Sequence, residues 1–344
     1  MQNIDKYRGC LIGGAAGDAL GYAVEFLSES QIFSRYGDNG ITSFDLRGGK
    51  GIVSDDTQMT LFTAEGLIRA GKNAGIDKCT DSIRDMYKCW LSTQHTSFRP
   101  EKKPFSSVLL DIPELYSLRA PGNTCLTAIQ QGAEGTPEKP INNSKGCGGV
   151  MRAAPVGLFF AGTDVSMRDC DILAAKSAAL THGHELGYIP AAALAHIVRI
   201  GAENEEASLK EAVLDSNRAM QELFGTCRHI GYYTELMEKA VDLAYSSKND
   251  LAAIHKLGEG WVAEETLAIA VFCALRHEDD FAAALVSAVN HKGDSDSTGA
   301  VMGNILGAFA GVSEIPEKFQ ADLEFLDVIT KMADALSTGV LPQI

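Results

Sequence analysis

Two stretches that mirror each other decide the fold: "GCLIGGAAGDALG" (9–21) and "GAVMGNILGAFAG" (299–311). Gly9, Gly13, Gly17 and Gly21 recur every four residues in the first, and Gly299, Gly303, Gly307 and Gly311 do so in the second. That spacing puts each set on one face of a helix. A glycine within a helix costs about 1 kcal/mol relative to alanine, so each stripe needs a compensating gain. Close approach of another backbone supplies one. In a membrane such stripes mark dimerising spans, but Asp18 and Asn304 make these stretches too polar. Both are read as buried central helices of a soluble bundle. In the competing reading, some of the glycines are turn residues.

The rest of the chain supports a helical fold. In "TQMTLFTAEGLIRAG", Leu61, Ala64 and Ile68 fall at i, i+3 and i+7. "EETLAIAVFCALRH" and "AAALAHIVRIGAE" are rich in alanine, which favours helix. Alternating β patterns are nearly absent, and aromatic residues are only 7% of the chain, fewer than strands favour. The expectation is an all-α protein, with residues 1–344 forming a single compact multi-helix domain. The longest turn-like segment is 136–149, "TPEKPINNSKGCGG", whose glycines allow a ligand close to the backbone.

With 45% hydrophobic residues, the 344-residue chain can bury a substantial core. It has no run of about 18 apolar residues, so no membrane span is expected. The N-terminus lacks the basic, apolar and cleavage regions of a signal peptide, and the expected location is cytoplasmic. A net charge of −15 disfavours nucleic-acid partners and suits a divalent cation. The eight cysteines form no CxxC pair and read as free, mostly buried thiols.

Two acidic clusters carry the chemistry. "GDSDSTGA" (293–300) sets Asp294 and Asp296 two residues apart, and "VSDDTQMTL" (53–61) joins Ser54, Asp55 and Asp56 just before an amphipathic helix. Either cluster alone fits helix capping. Together, four carboxylates would repel one another unless a hard cation relieved them. Aspartates and hydroxyls suit magnesium, and their number suits two ions better than one. No His/Cys set is spaced for zinc.

Six segments in order resemble the ADP-ribosylglycohydrolase family: "GCLIGGAAGDALGYAVEF", "SDDTQMTL", "GCGGVMRAAPVGL", "LTHGHELGYIPAAAL", "LGEGWVAEETLAIAVF" and "NHKGDSDSTGAVMGNILGAFAG". The resemblance implies an all-α fold with two Mg2+ ions, Mn2+ being the alternative. Carried over by position, the metal ligands are Ser54, Asp55, Asp56, Asp294, Asp296 and Ser297; the family often has threonine at the two serine positions. It implies a hydrolase that cleaves at the ribose anomeric carbon of an ADP-ribosylated protein and releases ADP-ribose. Asp55, Asp56 or Asp296 would accept the proton of the attacking water, and Glu25 would order that water or act as a gate. Gly146, Gly148 and Gly149 would cradle the pyrophosphate, His182 would donate to a phosphate or ribose oxygen, and Gly122 and Asn123 would line the cleft.

Several positions stay open. Arg152 either serves the site or bridges helices. Trp261 reads as core ahead of an adenosine-pocket role, and Asp18 as structural ahead of a ligand. Glu185 stands where the family commonly has proline, which leaves the helix start after "THGH" uncertain. The leading activity is removal of ADP-ribose from arginine. The alternatives are serine-linked or small-molecule conjugates, a related phosphohydrolase, and an antagonist that binds and blocks an ADP-ribosyltransferase.

Overall fold

Helices carry almost all the regular structure. The computed structural model describes residues 3–99 and 106–344. The chain runs through α1 (Ile4–Gly21), α2 (Glu29–Tyr36), α3 (Asp55–Ala70), α4 (Ile76–His95), α5 (Asn123–Gln130), α6 (Ala154–Phe160) and α7 (Met167–Ala179). It continues through α8 (Glu185–Glu203), α9 (Leu209–Leu223), α10 (Ile230–Ser246), α11 (Asp250–Leu257), α12 (Ala263–Arg276), α13 (Phe281–Val289), α14 (Ser295–Ala310) and α15 (Leu326–Thr338). Among the described residues there are only isolated β-bridges and no sheet, as the all-α reading expected. None of their helices is long and apolar enough to cross a membrane.

The two glycine stripes face each other. Helices α1 and α14 run antiparallel with their backbones in contact. A Cβ added at Gly17 would lie 2.0 Å from the Gly299 carbonyl oxygen, one at Gly303 2.0 Å from that of Gly13, and one at Gly307 2.1 Å from that of Gly9. No carbon fits at those separations, so glycine is required by space. The turn-residue reading holds at one position: Gly311 lies past the end of α14 with φ +87° and caps it. Asn304, the polar residue in this apolar helix, fills the gap left by Gly14 and donates from Nδ2 to the Cys10 carbonyl at 2.8 Å.

Around this pair, α14 packs on α8, α12 and α13, while α15 packs on α1 and α3. Helix α12 is buried nearly all round, as its apolar run 267–275 requires. The turn-rich stretch extends over 131–146 and closes with a 3-10 turn at Cys147–Gly149; a second irregular stretch, 37–54, leads into the first acidic cluster. All eight cysteines are free thiols, with only Cys147 and Cys227 partly exposed.

A buried node holds α7, α8 and α9 together. His196 Nδ1 lies 3.0 Å from Asp171, and its Nε2 lies 3.2 Å from Asp215. Hydrogen bonds and charge from the two aspartates raise the histidine above its ordinary 6.5 against the opposing effect of burial. The connection between α7 and α8 carries His182, so the node also steadies part of the candidate site.

Two expectations follow. Gly303→Ala should lower stability by about 1–3 kcal/mol, because the methyl meets backbone. Gly231→Ala, at an exposed position of α10 with no atom within 4 Å of the added carbon, should be neutral or better; equal thermal midpoints for the two variants would contradict the backbone contact. For His196, a raised folded pKa means that its stabilisation is complete below its ordinary 6.5 and fades as pH climbs through the raised value. The midpoint gap between wild type and His196→Gln should therefore narrow on the alkaline side of 6.5. Burial raises the Asp171 carboxyl too, so the acid limb mixes two groups and the alkaline limb is the one to read. A gap that widens with pH would contradict the assignment.

Candidate functional site

The α1/α14 register puts the end of α1 against the start of α14. A Cβ at Gly21 would lie 2.2 Å from the Ser295 carbonyl oxygen. The chain turns there and brings Glu25 onto the first turn of α14, where Asp294 is the N-cap and Asp296 follows. Gly293 allows this turn: its φ is +125°, and a Cβ there would lie 2.0 Å from the Glu259 carbonyl oxygen.

Helix α3 is held in place from α1. The Asp18 carboxylate accepts from the Ser54 N–H at 2.9 Å, the Thr57 N–H at 3.0 Å and the Thr57 hydroxyl at 2.5 Å. Asp18 therefore has the structural role. Ser54 is the N-cap of α3, its Oγ accepting from the Asp56 N–H at 3.1 Å. Capping and site formation coincide here, since the same turn presents Asp55 and Asp56. The clusters then join directly: the Ser297 hydroxyl donates to Asp56 Oδ2 at 2.8 Å.

Six carboxylates thus converge, and Asp18, Glu25, Asp55, Asp56, Asp294 and Asp296 are all buried. Among the described residues none has a Lys, Arg or His ion-pair partner. Burial, followed by mutual repulsion, raises Glu25 to about 11 and Asp18 to about 7, and pushes Asp55, Asp56 and Asp294 well above the usual carboxylate range. Glu25, Asp294 and Asp296 offer oxygens within 4.8 Å of one another. Glu25 Oε2 is buried and has no hydrogen-bond partner. An orphaned acceptor among unpaired carboxylates fits a hard divalent cation, which would supply the missing charge.

A second wall faces this cluster. The turn at 145–149 is pinned to the start of α12 by the Gly146–Val262 bridge, by Cys147 N–H donating to the Trp261 carbonyl at 3.3 Å, and by the Lys145–Glu264 ion pair. His182 lies against it, with Nε2 3.3 Å from the position a Cβ would take on either Gly146 or Gly148. Gly149 faces elsewhere; a Cβ there would lie 2.7 Å from the Gly187 carbonyl oxygen, so its bareness lets the turn pack on α8. Gly122 and Asn123 are exposed at the start of α5, and the Gly122 N–H points at Asp55 Oδ2 at 3.4 Å.

Other residues fall differently from expectation or were not singled out by sequence. Trp261 is not core: it is 41% exposed and stacks on Phe26, 70% exposed, with ring centroids 6.1 Å apart. Glu185 settles the uncertain helix start. Helix α8 begins at Glu185, with His184 as its N-cap. The Glu185 carboxylate accepts from the N–H groups of Arg228 and His229 at 3.0 and 2.9 Å, just ahead of α10. Arg152 is wholly buried and bridges α3, α5 and the α7–α8 corner, with Met59 Sδ at 3.5 Å, Cys125 Sγ at 3.2 Å and Thr181 Oγ1 at 2.6 Å. Cys147 borders the carboxylates: burial, then Asp294 and Asp56, push its thiol up.

The ADP-ribosylglycohydrolase family model matches residues 1–343. Among curated relatives, the ADP-ribosyl-[dinitrogen reductase] glycohydrolase of Rhodospirillum rubrum is 27% identical, covering 96% of this chain and 95% of its own. The ADP-ribosylhydrolase ARH3 of Mus musculus is 25% identical, covering 97% of this chain and 92% of its own. A solved structure titled ADP-ribosylglycohydrolase-related protein complex shares the fold, with a TM-score of 0.66 and 24% identity over 98% of this chain and 99% of that one. With the family model spanning nearly every residue and relatives matching end to end, the chain belongs to the ADP-ribosylglycohydrolase family.

Proposed function

We propose that this protein removes ADP-ribose from modified arginine side chains, using two magnesium ions held by Ser54, Asp55, Asp56, Asp294, Asp296 and Ser297. Hydrolysis of ADP-ribose conjugates is the chemistry of its family. The observation that carries the site is the set of six buried carboxylates without a cationic partner, bordered by the turn that holds Cys147. The cations would supply charge neutralisation and Lewis acidity where the ribose hydroxyls and the attacking water meet.

The protein's own groups do the remaining work. The Gly146 and Cys147 N–H groups are engaged by Ser144 Oγ and the Trp261 carbonyl, so the remaining backbone N–H groups of the Gly146–Gly149 turn and His182 Nε2 serve the pyrophosphate, while Gly122 and Asn123 line the ribose side. Asp55, Asp56 or Asp296 takes the proton from water as its oxygen bonds to the anomeric carbon, and the carbon–nitrogen bond breaks. Glu25, unpartnered beside Asp294 and Asp296, orders the water or gates entry. Fixed negative oxygens stabilise an oxocarbenium-like transition state. They also attract the cationic guanidinium of the conjugate, whose nitrogen takes the bonding pair and departs as neutral guanidine, which supports arginine as the linked residue. The ARH3 relatives keep a second reading in view, in which serine-linked or other conjugates are cleaved. The complete carboxylate set favours turnover over a role in blocking a transferase.

Titration calorimetry should show magnesium binding weakened in both Asp55→Ala and Asp296→Ala, which lie on different helices. Wild-type affinity in both variants would refute a shared site. Arginine- and serine-linked ADP-ribosylated peptides, each incubated with and without magnesium, test the linkage; release from the arginine peptide alone is expected. Asp55→Asn keeps the shape and removes the charge. It should fold and lose activity by at least about a hundredfold, since positioning is worth several kcal/mol. Near wild-type release by a folded Asp55→Asn would leave a favourable charge in the first turn of α3 as the role of this residue.

A further inference from the structure

His182 stands on the donor wall beside Lys145, which is paired with Glu264, and Cys147; two residues behind the imidazole determine what it can do. It is 2% exposed. Its Nδ1 lies 2.8 Å from Thr181 Oγ1, and Arg152 Nη2 donates to the same oxygen at 2.6 Å. Nε2 has no hydrogen-bond partner among the described residues and faces the two bare glycines, Gly146 and Gly148.

The direction of the Thr181 hydroxyl proton follows from the competing acceptors. Arg152 can only donate, so it occupies a lone pair of Oγ1. The single hydroxyl proton can go to His182 Nδ1 at 2.8 Å, to the Ala178 carbonyl at 3.4 Å, or to Cys125 Sγ, a weak sulfur acceptor that already takes Arg152 Nη1 at 3.2 Å. That carbonyl already accepts the Thr181 N–H at 3.1 Å and the His182 N–H at 2.9 Å. The proton therefore goes to the nearer, open acceptor. A guanidinium beside Nδ1 also favours a lone pair there over a second N–H pointing toward the cation.

From this geometry we infer that Arg152 and Thr181 are positioning residues that hold His182 in the tautomer with its proton on Nε2, making it a fixed neutral donor to an anionic oxygen lodged against the Gly146–Gly149 turn. The acceptor's identity, a pyrophosphate oxygen of ADP-ribose, rests on the function proposed above; the tautomer does not. Burial and the Arg152 charge hold the imidazole pKa down at about 3, so the ring stays neutral at any working pH. Arg152 has no carboxylate partner to neutralise it, and its Nε makes no hydrogen bond. Its hydrogen bond to Thr181 and its position over the Tyr87 ring, 4.4 Å from the centroid, fix the guanidinium behind the donor wall.

Nitrogen-15 NMR of the imidazoles tests the relay without any ligand, with His182→Asn assigning its signals among the eight histidines. Wild type should show a protonated Nε2 and a bare Nδ1. Thr181→Val keeps the shape and removes the hydroxyl, so the two nitrogens should move toward averaged values; Thr181→Ser should restore the wild-type pattern. Calorimetry with ADP-ribose should show about a five- to tenfold weaker Kd in Thr181→Val, the worth of one misdirected hydrogen bond, with recovery in Thr181→Ser. On conjugates, the loss should fall on KM more than on kcat. A proton on Nδ1 in wild type, or an unchanged His182 pattern in Thr181→Val, would overturn the relay. If the NMR result holds while wild type binds no ADP-ribose, the relay stands and the proposed ligand falls. If Thr181→Val fails to fold, wild-type NMR and Thr181→Ser still decide, since a proton on Nδ1 in either is fatal to the inference.

Discussion

Backbone contact between α1 and α14 is the constraint on which the site depends. The helices meet so closely that a single methyl at Gly13, Gly17, Gly303 or Gly307 would collide with a carbonyl group. Contact at this range fixes the register as well as the distance, because a slip would bring side chains into the space reserved for backbone. Register then determines which residues meet at the ends. It places Gly21 on Ser295, and so Glu25 beside Asp294 and Asp296. Asp18, one turn back on α1, reaches across to the first turn of α3. The packing of two apolar helices thereby sets the positions of six carboxylates that would otherwise separate.

Holding those carboxylates together works against stability. Each loses water on burial, and each raises the proton affinity of its neighbours. Some of the strain is relieved within the protein: Asp18 gains three donors from α3, and Asp56 gains the Ser297 hydroxyl. Two helix N-termini add partial positive charge. Glu25 has no such relief at Oε2. The same groups that fit a cation are therefore those the apo fold stabilises least, which ties occupancy of the site to stability of the α1, α3 and α14 corner.

Much of this was legible in the sequence because it is written locally. Fourfold glycine spacing, an Asp-Asp pair ahead of an amphipathic helix and an Asp-x-Asp ahead of a glycine stripe are each contained in about a dozen residues. The parts that were not legible depend on contacts between distant segments. Trp261 reads as core by composition, yet its carbonyl is tied to Cys147 in the turn at 145–149 and its ring stacks on the exposed Phe26, a partner far away in the chain. Glu185 starts α8 and also holds the Arg228 N–H just ahead of α10, 43 residues along the chain. The role of Thr181 needs Arg152 from another helix corner, and no spacing rule links the two.

The site must satisfy opposite charges within a few ångströms. Its carboxylate wall attracts cations and repels the pyrophosphate of the proposed substrate, in a chain that already carries −15. A lysine or arginine projecting into the cleft would bind the pyrophosphate but would also pair with the aspartates and compete with metal. The structure separates these tasks. Donors on the glycine turn are neutral backbone groups, and His182 is kept neutral as well. On that side Lys145 is paired with Glu264, and the remaining positive charge belongs to Arg152, wholly buried and held among Cys125, Met59, Thr181 and Tyr87 with no aspartate among its partners. Its field acts through low-dielectric protein toward the turn, while its hydrogen bond through Thr181 turns the imidazole the same way. Buried charge behind neutral donors allows the cleft to accept an anion without neutralising the carboxylates opposite.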